Sequence, residues 1–162
     1  MNEPGIDART PQQIADAVAA GMFKNDRASR GLGMRIVEVG PGSATLEMTV
    51  RDDMLNGFDI CHGGFITTLA DSAFAFACNS RNEMTVAAGL SVDLVAVARA
   101  GDVLSARAAE VHQAGRTGLY DMTVTNQRGE LVGCVRGRSY RMKGRAVVPL
   151  DASAAETSGA QP

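Results

Sequence analysis

"LNGFDICHGGFITTLAD", residues 55–71, ends on the residue that decides how the chain must fold. Asp71 is the only charged side chain between Ile60 and Ser80 when His62 is neutral, and its neighbours are small or apolar. Around it, Ile66, Leu69, Ala70, Ala73, Phe74 and Ala77 recur at the i, i+3, i+4, i+7 spacing of a helix ending near Asn79. The opposite face carries Thr67, Thr68, Ala75 and Cys78 where a surface helix would carry lysines and glutamates. A helix without charge on either face is buried on both. A sheet covers one face, and the economical cover for the second is the same helix of another subunit.

Outward from the helix the periodicity becomes that of strands. Ala44, Leu46, Met48 and Val50 alternate with Thr45, Glu47, Thr49 and Arg51, and Gly40-Pro41-Gly42 punctuates this region, from Gly33 on, as a turn between two strands. After the helix come four extended runs, 85–97, 102–112, 118–125 and 131–142, separated by "RAGD", "AGRT" and "NQRGE". Their short connections predict an antiparallel meander rather than crossover units. Near the N-terminus, Thr10-Pro11-Gln12-Gln13 supplies an N-cap, a proline at the first helical position and a capping-box glutamine, which predicts a short helix to about Phe23. The pattern is α+β: a long central helix wrapped by an antiparallel sheet. It divides into an N-terminal segment with a short helix (1–29), one domain (30–143) and a flexible tail (144–162), of which "DASAAETSGAQP" is expected to fray.

Composition restricts the function classes. The 162 residues suit one domain, and 45% hydrophobic with 21% charged residues fits an ordinary globular protein. A net charge of -2 offers no bulk attraction for nucleic acid or an anionic membrane. No apolar run approaches the roughly 20 residues that span a bilayer, and "MNEPGIDART" lacks the basic and apolar regions of a secretory signal. Cys61, Cys78 and Cys134 match neither a disulfide framework nor zinc spacing, which points to reduced thiols in the cytoplasm. With His62 and His112 the only histidines, no metal-ligand cluster is expected.

An aspartate on a buried helix loses hydration at a cost unless it is paired or hydrogen-bonded. Thr67, Ser72 or a partner's backbone can supply that bond; catalysis is the other use of such a group. "CHGG" marks the helix entry. Gly63 and Gly64 let a ligand approach the backbone, where first-turn N–H groups lack intrahelical partners and can hold a carbonyl oxygen as it becomes an oxyanion; they equally suit a tight turn with close packing. Asp71 lies about 12 Å along the axis from Gly63 at 1.5 Å per residue, so one carbonyl cannot touch both within one helix. Two helices packed antiparallel across a two-fold axis bring Asp71 of one beside Gly63 of the other. Asn56 can hold a water or a carbonyl through its amide, and His62 can orient the loop or contact that carbonyl; loop bracing explains either one as well. No G-x-S-x-G elbow supports a serine triad.

The segment "MLNGFDICHGGFITTLADSAFAFACNS" resembles the signature of the PaaI-type hotdog-fold thioesterases, the phenylacetate-degradation acyl-CoA thioesterase family. The likeness continues through "GDVLSARAAEVHQAGRTGLYDMTV" and "RGRSYRM", over roughly residues 30–143. It implies a helix wrapped by a curved antiparallel sheet, a homodimer built as one continuous sheet, commonly a tetramer as a dimer of dimers, and hydrolysis of an aryl-acetyl or related acyl-CoA. No cofactor is implied beyond the coenzyme A of the substrate itself. The resemblance makes Asp71 the catalytic carboxylate, as nucleophile or general base. It makes the Gly63 N–H the donor to the thioester oxygen, with Asn56 and His62 assisting and Gly64 binding substrate. Ala96 and Val97 in "LVAVARAGD" stand where the family often has Arg-Pro, which bears on loop shape and coenzyme contacts. Some relatives position water with a Ser or Thr on the strand after the helix, where this chain offers Ser91. Arg136, Arg138, Arg141 and Lys143 form the densest basic cluster, suited either to coenzyme phosphates or to a solvated strand end. Phe58, Phe65, Phe74, Phe76 and Met54 can line an acyl site or fill the core. Two alternatives differ in chemistry: a hotdog enoyl-CoA hydratase/dehydratase using His62 as acid/base, and a non-catalytic acyl-CoA binding module.

Overall fold

The computed structural model describes residues 9–150, so the expected fraying of 151–162 lies outside the described residues. Two helices come first. In α1 (Pro11–Asn25) Thr10 forms the capping box with Gln13, and in α2 (Arg27–Gly31) Asp26 caps the Ser29 N–H. Strands β1 (Arg35–Gly40) and β2 (Ser43–Thr49) form a hairpin whose turn holds Gly42 at φ 76°. A 3-10 turn at Asp52–Met54 leads into α3 (Gly63–Asn79). Then follow β3 (Thr85–Leu94), β4 (Val103–Ala114), β5 (Thr117–Thr125) and β6 (Leu131–Arg141). The six strands form one antiparallel sheet that packs against α3, the α+β arrangement expected. Among the described residues, no helix is long and apolar enough to cross a membrane.

The core forms where the two periodicities meet. Ile66, Leu69, Ala70, Ala73, Phe74 and Ala77 of α3 are buried, as are Ala44, Leu46, Met48 and Val50 at the sheet side and Leu104, Ala106, Ala108, Tyr120, Met122 and Val124 further along it. Phe74 and Tyr120 meet with ring centroids 5.2 Å apart. At the far end of α3 the Ser80 hydroxyl accepts from the Gly42 N–H at 2.8 Å, which ties the first hairpin to the helix. Register breaks between Ile36 and Glu38, Ala87 and Gly89, and Glu110 and His112 mark bulges, which bend strands.

One expectation is corrected. The strand order is β1-β2-β4-β5-β6-β3, so the meander has three strands, and β3 lies at the far edge against β6. Turn chemistry is local and does not select a partner. Here "RAGD" turns the chain, with Arg99 N–H bonded to Asp102 Oδ2 at 2.8 Å, only after residues 95–98 have crossed the entrance of α3. Along that crossing Val95 N–H donates to Val132 O at 2.9 Å and Cys61 N–H to Ala98 O at 2.8 Å. The cover of α3 is divided. Its Ser72–Phe76 flank is covered from within the chain: Phe23 packs on Phe76 with ring centroids 6.2 Å apart, and Ser29 Oγ lies 2.9 Å from Ser72 Oγ. Thr67, Thr68, Asp71 and Ala75 stay half-buried, and beside them the apolar Val86, Val92, Leu94, Val95 and Val97 of β3 and the crossing are exposed. The first residues of the expected tail also bond to the body, Val147 and Val148 N–H both donating to Asn82 Oδ1 at 3.0 Å.

Leu69, fully buried beneath the sheet, tests this grip on α3. Leu69→Ala is expected to cost about 2–5 kcal/mol of folding stability, read from urea midpoints. A cost below about 1 kcal/mol would mean that the sheet does not enclose the helix.

Candidate active site

The entrance of α3 is built by a short loop. Leu55 and Cys61 form an isolated bridge, Asn56 N–H donates to Ile60 O at 2.9 Å, and Asn56 Oδ1 accepts from Phe58 N–H at 2.9 Å. His62 N–H donates to Met54 O at 2.8 Å, which sets the ring at the N-cap, where Nδ1 accepts from Gly64 N–H at 3.0 Å. A neutral imidazole with Nδ1 accepting carries its proton on Nε2 as a donor. Gly63 occupies the first helical position, whose N–H has no intrahelical partner and sits at the positive end of the helix dipole. A Cβ on Gly63 would meet Leu94 Cδ1 at 2.4 Å, so the end of β3 packs closely on the helix entrance and a larger residue would displace that side chain. Asn56, His62, Gly63 and Gly64 thus gather at one mouth.

Asp71 stands at the middle of α3, away from that mouth. The hydroxyls that sequence offered it are engaged elsewhere. Thr67 Oγ1 donates to Gly63 O at 2.8 Å. Ser29 Oγ donates to Asp26 Oδ2 at 2.6 Å, so the Ser72 hydroxyl is the donor to Ser29. Among the described residues no group hydrogen-bonds the Asp71 carboxylate, and burial pushes its pKa above the ordinary aspartate value. It forms part of the wall of a cavity of about 420 Å3, shared with Met22, Phe74, Met84, Val86 and Val147. Cys78 lines the same cavity, but burial and the nearby Asp71 charge raise its thiol to about 12, so it is no nucleophile near neutral pH. A desolvated, unbonded carboxylate facing an apolar cavity is the kind of perturbed group that clusters at functional sites.

Within one chain the structure therefore assembles four of the five candidate residues and leaves Asp71 apart from them. Ser91 pairs across the sheet with Arg136, whereas Leu90 and Val92 pair with the inward Gly137 and Val135, so Ser91 belongs to the outer face. Of the basic cluster, Arg136 is bound to Asp121 at 2.7 Å and Arg141 to Glu83. Phe76 and Met54 are core, Phe58 is exposed at the loop tip, and Phe74 alone of that group lines the Asp71 cavity. Met22, Met84 and Val147 were missed, because no local pattern says that three distant segments meet at one carboxylate.

Residues 58–133 match the thioesterase superfamily. The chain is 42% identical over 126 residues to acyl-coenzyme A thioesterase PaaI of Escherichia coli, spanning 78% of this chain and 90% of that protein. The structure of E. coli PaaI, from the phenylacetic acid degradation operon, superposes with a TM-score of 0.82 at 40% identity, covering 84% of this chain and 99% of that one. A mutant of the phenylacetic acid degradation protein PaaI of Thermus thermophilus gives a TM-score of 0.70 at 37% identity, covering 72% and 100%. A Streptococcus mutans protein bound to acetyl CoA gives 0.65 at 27% identity, covering 67% and 88%.

The His62 cap can be separated from any contact with substrate. His62→Ala is expected to cost about 0.5–2 kcal/mol of stability, and His62→Asn, which restores a capping acceptor, to recover most of it. Equal thermal midpoints for all three proteins would remove the cap.

Proposed function

The chain belongs to the thioesterase superfamily, among its PaaI-type hotdog members, and from that membership we propose that it hydrolyses acyl-CoA thioesters at two equivalent sites of a homodimer. One observation carries the mechanism: Asp71, at the middle of α3, is half-buried, unbonded and on the wall of an apolar cavity, while the mouth that would polarise a carbonyl lies at the N-terminal end of the same helix. An antiparallel pairing of two α3 helices brings each carboxylate to the partner's mouth. The half-buried Thr67–Ala75 flank and the exposed apolar edge of β3 support such a pairing, with the two edges joining the sheets.

In the proposed site the thioester carbonyl oxygen accepts from the Gly63 N–H at the positive helix end, with His62 Nε2–H and the Asn56 amide assisting and Gly64 allowing close approach. On one route the ionised Asp71 of the other protomer takes a proton from a water that attacks the carbonyl carbon; the C–S bond then breaks, coenzyme A leaves as the thiolate and takes up that proton, and the free acid remains. On the other, Asp71 itself attacks, the thiolate leaves from a mixed anhydride, and water then cleaves the anhydride to the free acid and the restored carboxylate. The phenylacetic acid degradation operon of the E. coli relative and the cavity size support an aryl-acetyl or related acyl group, with the coenzyme as part of the substrate and no separate cofactor. Three unpaired thiols suit the cytoplasm. The hydratase alternative demands a proton-transferring His62, yet Nδ1 of that ring is spent on the Gly64 N–H. A dimer of dimers remains part of the proposal, through the exposed outer face of the sheet.

Asp71→Asn is expected to lower kcat by at least about 100-fold, with acyl-CoA binding retained. Near wild-type thiol release would remove Asp71 from the mechanism. Because the working form is the carboxylate and burial raises its pKa, kcat/KM in the wild type should fall on acidification with a midpoint above 3.8. An acid limb at or below that value contradicts the desolvated site. The shared architecture has its own test: Asp71→Asn and Gly63→Val are each expected to be inactive, and reassociating them should restore up to about a quarter of wild-type activity, since half the dimers are mixed and each has one intact site. No recovery in demonstrably mixed dimers would place both residues in one protomer's site.

A further inference from the structure

We infer that Met22 of α1, Met84 and Val147 form the closed end of the acyl pocket beside Asp71 and limit the length of the acyl group the protein accepts. This rests on the thioesterase reading above, and it assigns a role to two residues, Met22 and Val147, outside the stretch 58–133 that matches the superfamily.

The polar inventory of the cavity identifies its occupant. Asn79 spends its amide nitrogen on Ala75 O at 2.9 Å and Thr85 O at 2.8 Å, and its Oδ1 accepts from Thr85 N–H at 2.8 Å. Thr85 Oγ1 donates to Glu83 O at 2.8 Å, and the Cys78 thiol contacts Ala75 O at 3.6 Å. Among the lining side chains only the Asp71 carboxylate has no such partner. The remaining wall, with Phe74 and Val86 beside the three residues named, asks for an apolar body with one reactive centre at Asp71. An acyl group is that object. About 420 Å3 lies at the small end of the range for ligand sites, room for an aryl or medium alkyl group and not for the coenzyme besides.

The closed end is rigidly built. Asn82, in the left-handed region at φ 59°, accepts from Val147 and Val148 N–H at 3.0 Å and donates to Val148 O at 3.0 Å. Met84 N–H donates to Arg145 O at 2.8 Å. A Cβ on Gly21 would meet Val148 Cγ1 at 2.5 Å, so α1 and the returning strap interlock through a residue adjacent to Met22. The Asn82 and Met84 bonds thus hold the strap that carries Val147, and the Gly21–Val148 contact sets α1 with Met22 beside it, so the sizes of these side chains bear directly on the depth of the pocket.

The test compares wild type with Met22→Ala and Val147→Ala, which lengthen the pocket, and with Met22→Phe and Val147→Phe, which shorten it. Thiol release is measured over straight-chain CoA esters from butyryl to dodecanoyl, and binding of the matching non-hydrolysable alkyl-CoA thioethers is measured by calorimetry. Methylene-level discrimination in an apolar pocket is typically about 10- to 200-fold. The alanine variants should therefore raise the long-to-short ratio of kcat/KM by at least about 10-fold, and the phenylalanine variants should lower it, with parallel shifts in thioether binding. The filling pair carries the test by itself if the enlarged pair does not fold. Thiol release with one length profile in all proteins overturns the pocket assignment and leaves the thioesterase reading standing. A shifted thioether cutoff without thiol release supports the pocket and overturns the hydrolytic reading.

Discussion

Burying a carboxylate without a hydrogen bond is costly, and α3 carries one at its centre. Among the described residues, the hydroxyls beside it on the helix are committed: Thr67 to the backbone of Gly63, Thr68 to that of Gly64, Ser72 to the Asp26–Ser29 pair. The sheet grips one side of the helix, and the α1–α2 hairpin closes the Ser72–Phe76 flank. What remains is a strip bearing Asp71, a cavity, and a half-covered row of small residues. In the proposed reaction that strip is where the folding cost of the carboxylate is returned in chemistry.

How much of this was legible in the sequence follows the range of the forces involved. The α3 stripe and the β2 alternation are written in residue spacing, and their buried sets appear as expected. Caps are equally local, so Thr10 and Gln13 announced α1. The neighbour of β3 is not local. The crossing at residues 95–98 is fixed by bonds to Val132 and Cys61, chosen by the closing of the sheet rather than by any turn residue. The α1–α2 cover was likewise hidden, because two serines and two phenylalanines far apart in sequence carry no mark of one another. Sequence placed Asp71 among candidate groups by its isolation; only structure could show that its two nearest hydroxyls are turned elsewhere.

Glycine at 63 has two physical readings that do not compete. Leu94 Cδ1 lies 2.4 Å from where a Cβ would stand, so any larger residue displaces that side chain at the end of β3. The N–H of the same residue opens α3 and is one that no helix bond uses. A donor carried on the first turn of a helix keeps its direction, where one on a flexible loop would lose its preorganisation. In the proposed reaction the close packing and the free N–H belong to one residue.

Ionisation and assembly are linked by the same geometry. In a single folded protomer, burial raises the Asp71 pKa, so the ionised form opposes folding above that pKa and protonation relieves the opposition as pH falls. Pairing in the proposed dimer sets the carboxylate near the positive end of a second helix, which favours the ionised form and offsets part of that rise. The sign follows: pairing gains strength as pH rises through the two values and loses it on acidification. An unpaired protomer therefore carries a poorly tolerated charge, and the arrangement that tolerates it is the one that sets the charge opposite a polarised carbonyl. The acid that makes the helix hard to bury alone becomes the reason for burying it against a copy of itself.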